Sequence, residues 1–91
     1  VPSGALTIGL VDDVIEAGEL EATVQEYGEF LAVKPPEALA AIRRAVIVGG
    51  GMSFDAGLEL EASLATALAG TTNFAEGVAS FVSKRPPEWR R

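Results

Sequence analysis

The 91-residue chain is long enough for one domain at most, with 48% apolar residues, 7 basic against 13 acidic residues and a formal charge of −6. That balance argues against a nucleic-acid partner, which would need more positive charge to collect a phosphate backbone, though it leaves room for a small basic patch. The apolar share argues against intrinsic disorder. The absence of cysteine and histidine excludes disulfides and His-based triads within the chain and disfavours zinc and haem sites.

No apolar run reaches membrane-spanning length, so no membrane partner is expected. The opening residues Val1-Pro2-Ser3-Gly4 carry neither an initiator methionine nor the basic-then-apolar layout of a signal peptide. They point to a chain cut or processed from a longer one.

In chain order, "GLVDDVI" (residues 9–15) is short and rich in β-branched residues, and "EAG" breaks it. It predicts one short strand. One strand cannot make a sheet, so its partners are expected outside this chain. A helix is predicted from about Glu19 to Val33. Leu20, Val24, Tyr27 and Leu31 recur there at i, i+4, i+7 and i+11, an amphipathic stripe. Gly28 interrupts it, either permitting a close backbone approach or simply tolerated.

"KPPEALAAIRRAVIVGGG" reads as a helix with both ends marked. Pro36 suits the first helical position and Glu37 the positive end of the dipole. Arg43 and Arg44 fall late, and the run Gly49-Gly50-Gly51 terminates it. That run has no Lys-Ser/Thr and no flanking strand, so a C-cap and turn fit it better than a phosphate loop. Ser53 caps the next helix, which runs to about Ala69 with Leu60, Leu64 and Leu68 as its apolar row. Asn73 or Thr72 caps the last helix. Glu76, three residues beyond Asn73, suggests a capping box. Phe74, Val78, Phe81 and Val82 supply the apolar face, and Pro86-Pro87 are expected to end it.

The carboxylates offer little chemistry. Asp12-Asp13, Glu19/Glu21 and Glu59/Glu61 suit solvated or helix-favouring positions, and Glu76 suits capping. None forms a pair whose pKa values would be driven apart around a substrate. Lys84-Arg85 has two readings. One is favourable placement at the negative end of the last helix. The other is an anion contact, such as a phosphate, with Phe81 about one turn away to cover a flat group. Trp89, beyond the prolines, reads as a docking anchor.

Three stretches together carry a family resemblance. "ALTIGLVDDVI", "KPPEALAAIRRAV" and "TTNFAEGVASFVSKRPPEW", in this order and at natural spacing, resemble the C-terminal third of the crotonase superfamily, the enoyl-CoA hydratase/isomerase proteins. The match covers nearly the whole chain. Ser83 stands where the family pattern expects an acidic residue, and the segment before Gly9-Leu10-Val11 is tighter than in many members.

The resemblance implies a mostly α chain, one short strand plus about four helices, forming the C-terminal helical part of an α/β ββα-spiral fold. Residues 1–18 would close the core fold, and 19–91 would form a helical trimerisation region. It implies a fragment of a cytoplasmic enzyme that adds water across the 2,3 double bond of acyl-CoA thioesters. Such enzymes assemble as trimers or dimers of trimers. The two acid/base glutamates and the paired N–H donors of the oxyanion hole would lie in the N-terminal core, outside this chain.

No catalytic residue, metal ligand or prosthetic group is therefore expected within these residues. Coenzyme A enters as part of the substrate. The resemblance implies that Phe81 and Lys84 contact its adenine and phosphate region, often from a neighbouring subunit, with Arg85 as a weaker companion. The alternatives are another crotonase activity (isomerase, dehalogenase or thioester hydrolase) or a stand-alone helical oligomerisation module.

Overall fold

The computed structural model describes all 91 residues. It contains five α-helices: α1 (Pro2–Thr7), α2 (Leu20–Ala32), α3 (Pro36–Ile47), α4 (Phe54–Ala69) and α5 (Thr72–Val82). Two 3₁₀ turns lie at Ala17–Glu19 and Gly49–Gly51, and there is no β-strand. The expected arrangement of one strand plus four helices is thus corrected, and residues 9–15 are irregular. A strand exists only through a ladder with a neighbour. Here the Asp13 side chain instead accepts the Val14 N–H at 2.8 Å, a local bond that competes with any ladder.

The chain divides into two compact units, Val1–Leu31 and Ala32–Arg91. In the first, α1 ends in a full Schellman closure. Gly9 sits at φ 77, the Leu10 N–H donates to the Ala5 carbonyl at 2.9 Å and the Gly9 N–H to that of Leu6 at 3.1 Å. Glycine takes this left-handed position without the steric cost a Cβ would bring. On α2, Tyr27 and Phe30 meet edge to face at 6.4 Å. A Cβ at Gly28 would meet nothing within 4 Å, so no backbone approaches it within this chain.

In the second unit α3 begins with Pro36 in its first turn and carries Glu37 early and Arg44 late. The glycine run does not end it in a left-handed cap, since none of the three has a positive φ. It winds on as a 3₁₀ turn that brings Gly49 against α4. A Cβ at Gly57 would lie 3.3 Å from the Gly49 carbonyl oxygen. Two glycines face each other where the turn and the helix touch. Ser53 caps α4 as expected, its Oγ accepting from the Ala56 N–H at 3.2 Å.

Thr71 joins α4 to α5. Its Oγ1 donates to the Leu68 carbonyl at 2.7 Å and accepts from the Phe74 N–H at 3.1 Å. One hydroxyl thus satisfies a terminal carbonyl of α4 and a first-turn amide of α5. The cap expected at Asn73 or Thr72 is corrected to Thr71. Helix α5 also stops at Val82, before the prolines rather than because of them.

No apolar side chain of the 91 residues is buried. The apolar stripes that shaped the helices therefore remain largely uncovered by the chain itself. The two buried residues, Asn73 and Ser80, at 5% and 4% exposure, are polar and both lie on α5.

Candidate functional site

The candidate site is the C-terminal end of α5 and the tail that follows it. Helix α5 ends in a second Schellman closure. The Arg85 N–H donates to the Ser80 carbonyl at 3.0 Å and the Lys84 N–H to that of Phe81 at 3.2 Å. The left-handed position, which glycine usually fills, is held by Lys84 at φ 53. It is the one non-glycine residue of the chain with a positive φ. A residue with a Cβ pays of order 1–2 kcal/mol there.

Phe81 precedes it by three positions with 85% of its surface exposed. Because Lys84 lies past the helix end, helical spacing does not set its relation to Phe81. The Lys84 N–H bond to the Phe81 carbonyl ties the two together instead. Lys84 is likewise exposed. A bare ring and a bare ammonium therefore share one corner.

Arg85 is turned elsewhere. Its guanidinium grips Glu76 with both arms, NH1 to Oε2 at 2.6 Å and NH2 to Oε1 at 2.9 Å. The same Glu76 Oε2 accepts the Glu88 N–H at 2.7 Å. The Arg85 bonds, helped by the Glu88 amide, push the Glu76 pKa from its ordinary 4.5 down to about 2. The pair in turn raises that of Arg85. Glu76 is thus an anion at neutral pH and no capping-box partner. Its depressed pKa is the reverse of what a general acid needs.

The rest of the tail folds back along α5. The Asn73 amide donates to the Arg90 carbonyl and its oxygen accepts the Arg90 N–H, both at 2.7 Å. The half-buried Trp89 ring lies on Gly77, where a Cβ would come within 3.3 Å of it. Arg91 donates to the carbonyl of Lys34 at 3.1 Å and to that of Ala32. The docking anchor expected at Trp89 therefore packs on this chain's own last helix.

Beside this C-terminal strap, residues 86–91, runs an apolar groove of about 460 Å³, lined among others by Pro35, Leu68, Phe74, Val78, Phe81 and Trp89. Of the three residues expected at the edge, Phe81 and Lys84 are exposed and Arg85 is paired with Glu76, while the groove and the roles of Asn73 and Gly77 were not anticipated. A lone glycine in a helix, one turn after an asparagine, was the available signal.

The "Enoyl-CoA hydratase/isomerase" family model matches residues 1–91. The chain belongs to the enoyl-CoA hydratase/isomerase family. Among its relatives, (E)-benzylidenesuccinyl-CoA hydratase of Thauera aromatica is 31% identical over 94% of this chain and 34% of its own length. The 1,2-epoxyphenylacetyl-CoA isomerase of Escherichia coli is 27% identical over 89% of this chain and 31% of its own. A crystal structure of an enoyl-CoA hydratase from Geobacillus kaustophilus superposes with a TM-score of 0.93 at 31% identity. It covers 99% of this chain and 34% of that one. The chain spans about a third of the length of these family members.

Proposed function

We propose that these residues form the C-terminal helical region of an enzyme that adds water across the 2,3 double bond of an acyl-CoA thioester. Residues 19–91 supply an oligomerisation surface and an edge that receives coenzyme A. The chemistry resides outside the 91 residues. The observation that carries this reading is the corner at the end of α5, where Phe81 is bare and Lys84 is held in a conformation that costs free energy. Strain of this kind persists where the surroundings enforce it, and it concentrates at binding sites. An exposed ring offers a face to adenine, and an ammonium offers a point charge to a phosphate.

Arg85 serves this edge through its grip on Glu76 rather than through its own charge. Coenzyme A belongs to the substrate, and the reaction uses no bound prosthetic group. The uncovered apolar faces of α2 and α5 support assembly into trimers or dimers of trimers and packing on an N-terminal core. No helix is long and apolar enough to cross a membrane.

In the intact enzyme, charge developing on the thioester oxygen requires fixed N–H donors. A carboxylate pair must position water and protonate C2. On this reading both sets lie in the N-terminal core, and Glu76, whose pKa is depressed, is committed to Arg85. A second reading, isomerisation of an acyl-CoA thioester, is supported by the 27% identity to 1,2-epoxyphenylacetyl-CoA isomerase. Mass spectrometry of the product separates the two. The full-length protein incubated with a 2-enoyl-CoA is expected to give a thioester heavier by one water, and the 91-residue chain alone none. A product of unchanged mass favours the isomerase, and turnover by the isolated chain contradicts the division of labour.

A further inference from the structure

We propose that Glu76 is a positioning residue that fixes the Lys84 ammonium for its anion. The inference rests on the coenzyme A-facing reading of Phe81 and Lys84 and adds how that edge is held. Lys84 occupies a backbone region that any side chain disfavours, so something must oppose its relaxation. On the helix side the Lys84 and Arg85 amides are tied to the Phe81 and Ser80 carbonyls. On the far side the restraint nearest in sequence is a single carboxylate, with Asn73 and Gly77 holding the tail further on. Glu76 takes both arms of Arg85 and the Glu88 N–H, the residues one and four places after Lys84. The chain is thereby held on both flanks of the left-handed residue, and the direction of the Lys84 Cα–Cβ bond is fixed with it.

The same bonds decide which cation is presented. The Arg85 guanidinium could reach a phosphate with a bidentate fork, but Glu76 occupies that fork. Lys84 is left to meet the ligand as a point charge. Removing the Glu76 charge would loosen Lys84 and free a competing cation beside it.

The test is a double-mutant cycle in the full-length protein, with crotonyl-CoA as the probe and kcat and KM read separately. Gln at position 76 keeps the volume and one acceptor oxygen, so Glu76→Gln is expected to fold. It should raise KM about three- to tenfold and leave kcat within about twofold. In the Lys84→Ala background the same substitution should not raise KM further, because the group it positions is gone, and the freed Arg85 fork can only lower it. Arg85→Lys keeps the charge and loses the fork, and it should move KM in the same direction. It carries the same cycle should Glu76→Gln not fold.

An unchanged KM in Glu76→Gln while Lys84→Ala raises it overturns the positioning role, as do factors that simply multiply. An unchanged KM in Lys84→Ala itself removes the coenzyme A-edge reading, and this inference with it.

Discussion

The Asn73 side-chain amide pairs with the Arg90 backbone through two 2.7 Å hydrogen bonds, one given and one received. A helix side chain thus does for the tail what a neighbouring strand would do. Asn73 is buried, so the loss is felt in full. Asn73→Ala should cost about 1–3 kcal/mol, measured by urea unfolding of the full-length protein. Asn73→Asp should fare no better, because its carboxylate faces the Arg90 carbonyl with no proton to offer.

Gly77 is the seat of Trp89. Gly77→Ala sets a helix-propensity gain of about 1 kcal/mol against a methyl 3.3 Å from the indole, and the two should nearly cancel. Gly77→Val adds a branched side chain that the ring cannot clear. It should displace the strap and red-shift the emission of Trp89, the single tryptophan of this segment. A difference spectrum against Trp89→Phe isolates that signal in the full-length protein.

Lys84→Gly should separate stability from affinity. Glycine removes the left-handed cost, so the variant should gain about 1 kcal/mol. It also removes the ammonium, so KM for the coenzyme A ester should rise. Thermal unfolding and steady-state kinetics on one sample read both effects. Movement of the two in the same unfavourable direction would show that Lys84 is needed for the fold.

The Glu76 clasp gives a signed pH dependence. Its folded pKa of about 2 lies below the ordinary 4.5. Its stabilisation is therefore fully present above about pH 4.5 and is lost progressively as the pH falls toward 2. The difference in melting temperature between the natural protein and Glu76→Gln should be constant from pH 6 to 8. It should shrink steadily once the pH falls below 4.5.

The features legible in the sequence were the local ones. Pro36 opens α3 and Ser53 caps α4 because each signal acts within one helical turn. The last helix was misread at its start for the same reason. The pattern Asn73-x-x-Glu76 fits a capping box, but Thr71 reaches both helices with one hydroxyl and leaves Asn73 and Glu76 to the tail. The tail contacts span from 9 to 59 residues, beyond any local pattern. Lys84 was misplaced as a helical neighbour of Phe81 because a left-handed end is normally announced by glycine, as at Gly9. The strand over residues 9–15 was read from composition, whereas a strand requires a partner.

On the proposed reading, Lys84 contributes binding to the coenzyme A moiety and not to the chemistry. It is tested most directly by the kinetics of Lys84→Ala in the full-length protein. Two thioesters of the same 2-enoic acid are compared, one on coenzyme A and one on N-acetylcysteamine, which lacks the nucleotide. KM for the coenzyme A ester should rise about tenfold with kcat nearly unchanged, while kcat/KM for the truncated thioester stays as in the natural protein. Equal losses on both thioesters, or a fall in kcat with KM unchanged, would contradict it.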